Sequence, residues 1–231
     1  MQITLCDFLG RDNFRFSPYV WRTKLALAHK KLDYEVVGTT FLDKSALEGW
    51  TGYRLAPVLK HGDTVVCDSW EIANYLERTW PAESPLFPDR GSRALASFLN
   101  AWVPAALYPV LLPLITRDVL DHVHPDDREH YRRTREARLG CSLEEAQAGR
   151  DEDVVGFRDA LEPFRQVLLE QAYLSGDRPA YADFILFALF QWARNTSRFK
   201  LLTTDDPVHD WRRRMAEDYR EVVSTSDGYP Y

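Results

Sequence analysis

The chain has 231 residues, a formal net charge of −6 and 45% hydrophobic residues, values that are ordinary for a soluble globular protein of one or two domains. The acidic balance gives no support to nucleic-acid binding, which favours an excess of Lys and Arg on one face. Three cysteines, Cys6, Cys67 and Cys141, cannot all pair and form no CxxC motif, so neither a disulfide scaffold nor an oxidising compartment is expected.

Two features of the chain bear on its location. Residues 3–5 already show a strand pattern, so no signal peptide is expected and a cytoplasmic location is predicted. The apolar run over 103–115 contains three prolines and is shorter than a membrane-spanning helix requires, so no membrane partner is expected.

The first eighty residues alternate between strand and helix patterns. A strand over 1–8, a helix over 18–32 and a strand over 34–37 make a βαβ unit with a right-handed crossover. Two apolar runs at 57–60 and 64–67 predict a β-hairpin. A helix over 69–79 completes a small α/β domain.

Beyond this domain the strand signal disappears. Residues 81–92 contain three prolines and predict an extended linker, and 93–231 reads as helices only. The helical segments are predicted over 93–123 (interrupted by its prolines), 126–147, around Phe157 to Leu168, 180–194 and 207–219. Five basic side chains alternate with Glu129 and Glu136 and indicate a solvated helix face: Arg128, Arg132, Arg133, Arg135 and Arg138.

Ser17 precedes Pro18 at the predicted start of the first helix. Serine is a favoured N-cap and proline suits the first helical turn. The free N–H groups and positive dipole end at such a start favour an anion, including a thiolate. Asp68 and Ser69 open a second helix and offer a second set of donors. Each feature could be a helix cap alone; together they favour a site for a negatively charged sulfur ligand.

The order of these elements, with a proline-rich linker and a helical bundle, resembles the glutathione transferase superfamily over essentially the whole chain. The segments SPYVWRTK, DSWEIANYLE, LEPFRQVL and LTTDDPVHDW are similar to the bacterial β-etherase branch, which cleaves lignin-derived aryl ethers, and to its fungal etherase-like relatives. The resemblance implies a thioredoxin-like glutathione-binding domain over 1–80, a linker over 81–92 and an all-helical substrate-binding domain over 93–231.

The resemblance also implies roles for particular residues. Ser17 resembles the residue whose hydroxyl stabilises the glutathione thiolate. Pro57 resembles the cis-proline that turns the backbone of Ala56 towards the cysteinyl part of glutathione. The two ends of the tripeptide are assigned by the same resemblance, the γ-glutamyl group to Asp68 and Ser69 and the glycine carboxylate to Lys44.

In this family the second domain's first helices face the glutathione site. The implied hydrophobic substrate pocket comprises Phe16, Trp102, Tyr108 and Trp192, although Trp102, Tyr108 and Trp192 could each be plain helical core. His122 and His124, beside Asp121, favour a polar turn over a metal site, and no metal is expected. Ala180 stands where the superfamily usually places a capping Ser or Thr three residues before Asp183.

The implied function is attack by glutathione thiolate on an electrophilic carbon of an aromatic substrate, with cleavage of a β-aryl ether as the reaction. Conjugation, dehalogenation or peroxide reduction at the same site is one alternative. A non-catalytic carrier of aromatic ligands is another. The resemblance further implies a homodimer.

Overall fold

The computed structural model describes residues 2–230, and its four strands form one mixed sheet in the order β2-β1-β3-β4. The strands are β1 (Ile3–Phe8), β2 (Glu35–Thr39), β3 (Val58–His61) and β4 (Thr64–Cys67). β1 pairs parallel with β2 and antiparallel with β3, and β3 and β4 form the predicted hairpin. With α1 (Pro18–His29) and α2 (Ser69–Thr79), this is the predicted thioredoxin-like arrangement. The ends of the predicted domains, Met1 and Tyr231, lie outside the described residues.

The first helix is shorter than predicted because it ends at His29 rather than at residue 32. Lys31 adopts a left-handed φ of 54°, which turns the chain out of the helix. Lys30 is fully buried, and its ammonium group contacts the carbonyls of Trp80 at 3.0 Å and Ser84 at 3.2 Å and the carboxylate of Glu77 at 2.8 Å. The end of α1 is therefore attached to the segment that connects the two domains.

The second domain is helical, as predicted. Its helices are α3 (Arg90–Trp102), α4 (Tyr108–His122), α5 (Arg128–Leu139), α6 (Leu143–Ala148), α7 (Arg150–Ala160), α8 (Glu162–Glu170), α9 (Tyr181–Thr196), α10 (Pro207–Asp218) and α11 (Arg220–Val223). α3 begins at Arg90, three residues before the predicted start of the helical domain at residue 93. The reason is Asp89, whose carboxylate caps the helix by accepting a hydrogen bond from the Ser92 amide at 2.8 Å.

The proline-rich helical region is less interrupted than predicted. A π-helical segment, Val103–Leu107, joins α3 to α4 at Pro104, and Pro109 and Pro113 lie within α4. The resulting helix over 90–122 is long and apolar enough to cross a membrane by length and composition alone, which the run over 103–115 did not predict. It packs against α6, α7 and α9.

Two predicted helices are each divided in two. The charged segment over 126–147 breaks at Gly140, which ends α5 with a φ of 77°, and Ser142 then caps α6 in a reciprocal capping box with Glu145. The predicted helix around Phe157 to Leu168 is divided between α7 and α8. Pro163 favours this division, because proline suits the first turn of a helix and here lies in the first turn of α8. Phe157, Leu161, Phe164 and Leu168 are all buried, as their spacing of four, three and four residues predicts.

The central helix α9 is buried along nearly its whole length and packs against α1, α3 and α4. Ala180 supplies no side-chain cap to this helix, as expected. Asp183 instead accepts hydrogen bonds from the amides of Leu174 (2.8 Å), Ser175 (3.2 Å) and Ala180 (3.2 Å) and from the Trp211 indole (2.9 Å). One carboxylate thereby joins the start of α9 to the preceding loop and to α10.

Candidate active site

Ser17 lies at the N-cap of α1 in an extended conformation. Its hydroxyl oxygen accepts a hydrogen bond from the Val20 amide over a long 3.4 Å. A serine oxygen that accepts such a bond keeps its own O–H proton free to donate. Ser17 can therefore cap the helix and donate a hydrogen bond to an anion at the same time.

The turn before β3 brings the second predicted element close to the start of α2. The Ala56–Pro57 peptide bond is cis, and the Pro57 carbonyl accepts a hydrogen bond from the Asp68 amide at 3.2 Å. Asp68 has a φ of 74°, which non-glycine residues rarely adopt and which occurs preferentially at ligand sites. Its Oδ1 caps α2 by accepting from the amides of Trp70 at 2.8 Å and Glu71 at 3.4 Å. Within residues 2–230, Oδ2 forms no hydrogen bond.

Residues of both domains surround this helix start. Ser69 is buried, and its carbonyl accepts a hydrogen bond from the Tyr181 hydroxyl at 2.7 Å. The Arg22 guanidinium lies 4.8 Å from the centre of the Tyr19 ring and donates to Asn100 at 2.9 Å. Burial lowers the pKa of Arg22, and the nearby Tyr181, Tyr19 and Asp68 oppose that shift. The Asp68–Ser69 pair therefore lies beside a buried cation.

One cavity of about 410 Å³ joins the start of α1 to the helical domain. It is lined by six of the residues singled out from the sequence, namely Phe16, Ser17, Lys44, Ala56, Tyr108 and Trp192. Pro57, Asp68 and Ser69 are not part of the lining, and the bond from the Asp68 amide to the Pro57 carbonyl holds the start of α2 beside the turn. The sequence did not predict the remaining lining residues, which are Phe8, Pro18, Tyr19, Phe41, Arg54, Leu55, Val119, His130, Tyr131 and Arg135.

One half of the cavity is aromatic. The rings of Tyr108 and Trp192 are stacked, with centroids 5.1 Å apart and an interplanar angle of 12°. Phe8 packs edge-on against Phe16 at 5.5 Å and Phe41 at 4.4 Å. Such flat, preformed surfaces suit an aromatic ligand.

Trp102 lies elsewhere, so its predicted place in the substrate pocket is wrong. It lines a separate apolar groove between α3 and α8, with its ring 6.4 Å from that of Phe98 and 5.6 Å from that of Phe164. Tyr108 follows Trp102 by six residues, which is not a whole number of helical turns, and a π-helical segment intervenes. The two rings therefore leave the helix on different faces.

The prediction that the arginines of α5 form only a solvated face is wrong for Arg135. Its guanidinium lies 4.7 Å from the centre of the Tyr131 ring and 5.3 Å from that of Phe41. The spacing of Tyr131 and Arg135, four residues apart, is the sequence signal that places both on one helix face.

Asp127 positions the loop after β2, because its buried carboxylate accepts hydrogen bonds from the amides of Phe41 at 2.7 Å and Leu42 at 3.1 Å.

Other reactive groups lie away from the cavity or are unsuited to its chemistry. Burial in β1 raises the pKa of the Cys6 thiol to about 11, so its thiolate is disfavoured at neutral pH. In the part of the chain that the structure describes, no cluster of three or more His, Cys, Asp and Glu side chains is arranged to hold a metal ion.

Two family models match this chain, the glutathione S-transferase N-terminal domain over 16–79 and the glutathione S-transferase C-terminal domain over 94–216. Glutathione S-transferase U25 of Arabidopsis thaliana is 25% identical over 218 residues, which are 91% of this chain and 84% of that protein. The glutathione S-transferase-like protein ustS of Aspergillus flavus is 33% identical over 141 residues, 54% of this chain and 49% of that protein.

Solved structures share the fold. Glutathione transferase GSTFuA3 of Phanerochaete chrysosporium superposes with a TM-score of 0.82 at 24% identity, covering 94% of this chain and 96% of that one. Glutathione S-transferase CsGST63524 of Ceriporiopsis subvermispora, solved in complex with glutathione, gives a TM-score of 0.80 at 20% identity, with 96% and 98% covered. Because the C-terminal family model alone spans more than half of the sequence, the chain belongs to the glutathione transferase superfamily.

Proposed function

We propose that the chain is a glutathione transferase that uses the thiolate of glutathione to displace a phenolate from a β-aryl ether. The observation that carries this proposal is a single cavity holding both the Ser17 hydroxyl and the stacked Tyr108 and Trp192 rings. A thiol bound at the start of α1 and an aromatic electrophile bound on these rings would share one enclosed space. Such proximity lowers the barrier to displacement.

The charges around the cavity suit glutathione, which carries two carboxylates and one ammonium group. Lys44 and Arg54 line the cavity near Ala56, and partial burial lowers the pKa of Lys44. We assign the glycine carboxylate to Lys44, whose ammonium group now donates to the Thr40 carbonyl. Asp68 Oδ2 and the Ser69 hydroxyl suit the γ-glutamyl group, and the backbone of Ala56 suits the cysteinyl part.

Ser17 would act by stabilising charge. A thiol with a reference pKa near 8.5 is only about 3% ionised at pH 7. A hydrogen bond to a charged group contributes about 1.5–3 kcal/mol, which corresponds to about one to two pKa units. The Ser17 O–H, beside the positive end of α1, could therefore make the thiolate a large fraction of bound glutathione at neutral pH.

A panel of β-aryl ethers incubated with glutathione tests this function. We expect release of the phenol and formation of a glutathione thioether in equal amounts, both measured by mass spectrometry. Turnover of a generic chloronitrobenzene without turnover of any ether would point to conjugation or dehalogenation instead. Reduction of a hydroperoxide alone would indicate a peroxidase. Binding of aromatic compounds without any turnover would indicate a carrier.

We also propose a cytoplasmic homodimer, as the superfamily resemblance implies. The exposed face of α3 offers apolar surface for a second copy, since Phe98 is 59% exposed there. Light scattering should then give a mass of twice 26.8 kDa at micromolar concentration. A mass of one subunit would exclude the dimer.

A further inference from the structure

We propose that Arg135 binds the oxyanion of the departing phenolate in the aromatic half of the cavity. This inference rests on the proposed function and names the bond that the site is built to break, a carbon–oxygen bond to an aryl group. It also assigns to α5 a part in the site beyond packing.

The distribution of charge in the cavity is the first observation. Its lining includes three cations, Lys44, Arg54 and Arg135, together with His130, but no carboxylate. Lys44 and Arg54 belong to the N-terminal domain, where the glycine end of glutathione is proposed to bind. Arg135 belongs to α5 and lies against the rings of Phe41 and Tyr131. One cation therefore faces the aromatic half of the cavity and is separate from the proposed glycine carboxylate contact.

The second observation is that the hydrogen-bonding capacity of Arg135 is incompletely used. Nη1 donates to the Thr134 hydroxyl at 3.1 Å, while Nε is buried without a hydrogen-bond partner among residues 2–230. Over the same residues, no carboxylate lies within ion-pair distance of this guanidinium. Arg132, on the same helix, shows the contrasting arrangement, with Glu136 and Glu144 both bonded to it at 2.8 Å. An oxyanion in the cavity could accept from the guanidinium N–H groups that Thr134 leaves unused.

The proposed reaction would be accelerated by such a group. As the sulfur–carbon bond forms from an electron pair on sulfur, the carbon–oxygen bond of the ether breaks and its pair stays on the aryl oxygen. Arg135 stays charged throughout, so it donates hydrogen bonds and transfers no proton. A fixed, charged donor aimed at developing negative charge stabilises the transition state. The released phenolate takes its proton from water.

Ionisable groups other than Arg135 also line the cavity and set the background for any titration. They are Tyr19, Lys44, Arg54, Tyr108, His130 and Tyr131. Arg138 provides a matched control, because its guanidinium lies 4.9 Å from the centre of the Tyr108 ring but is exposed and does not line the cavity. Removing Arg138 deletes the same charge from the same helix without changing the lining.

4-Nitrophenol is a suitable probe, because its absorbance separates phenol from phenolate. We would titrate it bound to the protein saturated with S-methylglutathione, which lacks an ionisable thiol. Bound nitrophenol should ionise at lower pH than free nitrophenol. Arg135→Met should raise the bound pKa by about one unit or more, a loss of about tenfold in the preference for phenolate. Arg138→Met should change the preference for phenolate by less than about threefold.

An unchanged midpoint in Arg135→Met, or an equal shift in Arg138→Met, would overturn the proposal. If Arg135→Met does not fold, Arg135→Lys tests the proposal in its place. An ammonium group keeps the positive charge but lacks the paired N–H donors of a guanidinium, so this variant should lose at least about threefold in the preference for phenolate. An unchanged preference would overturn the proposal as well.

A second measurement identifies the source of the oxyanion. With a series of aryl ethers, Arg135→Met should lower kcat/KM most for the least acidic leaving phenols; equal losses across the series would overturn the assignment to the leaving group. If no ether is cleaved but the nitrophenol shift is observed, the proposed ether cleavage is excluded, whereas the proposal that Arg135 binds a phenolate is supported.

Discussion

The hydroxyl of Tyr181 in α9 donates a hydrogen bond to the carbonyl of Ser69, the first residue of α2, with 2.7 Å between the oxygens. Both residues are buried. The rings of Trp70 and Phe87 pack against Tyr181, with centroids 5.9 Å and 5.5 Å away. The central helix of the second domain therefore fixes the helix start proposed to hold the γ-glutamyl group.

Tyr181→Phe should weaken both the fold and the binding of glutathione. The change keeps the ring packing but removes the side-chain donor to the buried Ser69 carbonyl, which keeps its bond within α2, at a cost of about 0.5–1.5 kcal/mol. Urea unfolding should show that loss, and calorimetry should show weaker glutathione binding. Tyr34→Phe is the control, because in the described chain the Tyr34 hydroxyl forms no hydrogen bond. Equal stability and affinity in Tyr181→Phe and the wild type would show that the bond is unimportant.

Ser69→Ala tests the γ-glutamyl assignment directly. If the Ser69 hydroxyl bonds a charged end of glutathione, its loss should weaken binding by about 1–3 kcal/mol, up to about a hundredfold in Kd. Isothermal calorimetry on the folded variant measures this change. Ser92→Ala, which alters a serine of α3 that is not proposed to contact glutathione, should bind as the wild type does. Unchanged affinity in Ser69→Ala would remove Ser69 from the site.

Periodicity and turn residues predicted the first domain well because its elements are determined locally. The hairpin over β3 and β4 and the helix α2 follow from alternation around Gly62 and from the cap at Asp68. The extent of α1 could not be predicted in this way, because Leu32 continues the apolar spacing of Trp21, Leu25 and Ala28 although the helix ends before Lys31. Side-chain spacing does not show a change in φ at one residue.

The composition of the cavity was harder to predict, because it depends on contacts between distant segments. Ser69 and Tyr181 are 112 residues apart in the sequence, and no local pattern predicts the hydrogen bond between them. Because α5 is rich in charged residues, the sequence predicted a solvated helix and did not indicate that Tyr131 and Arg135 line the cavity. Trp102 was misplaced because aromatic composition does not indicate on which side of a helix a ring lies.

His29 in α1 contacts the linker and the second domain through its two ring nitrogens. Its Nε2 lies 3.2 Å from the Pro85 carbonyl and its Nδ1 2.7 Å from the Tyr219 hydroxyl. A carbonyl only accepts hydrogen bonds, so Nε2 carries the proton and Nδ1 accepts from Tyr219. Burial lowers the pKa of His29, and the Pro85 carbonyl opposes that shift.

The free energy of unfolding should therefore fall as the pH drops below about 6.5, the unperturbed pKa of histidine. Below that value the unfolded chain binds a proton that the folded chain resists, whereas at higher pH both states are neutral. Urea unfolding at about pH 7.5 and about pH 5.5 measures the effect. Burial also lowers the pKa of His122 and His209, so the comparison with His29→Gln isolates the share of His29. The same pH dependence in both proteins would exclude this role.

Ser17→Ala addresses the chemistry itself. Without the donated hydrogen bond the charged form of bound thiol is less stable, so its pKa should rise by about one to two units while the tripeptide stays bound. Activity at neutral pH should fall by about ten- to a hundredfold where ionisation limits the rate, and should partly recover at higher pH. Some stabilisation should persist, because the start of α1 still presents N–H groups to the sulfur.

The measurement for Ser17→Ala is the ultraviolet absorbance of the thiolate of bound glutathione against pH. The variant also removes the 3.4 Å cap on the Val20 amide, so the cap needs its own control. Ser142→Ala provides it, because Ser142 caps α6 in a comparable way and does not line the cavity. This variant should leave the titration midpoint where the wild type has it. If Ser17→Ala also left it unchanged, Ser17 would be a helix cap only, and the thiolate donor should then be sought in the loop over 10–16, with Asn13 as the next candidate.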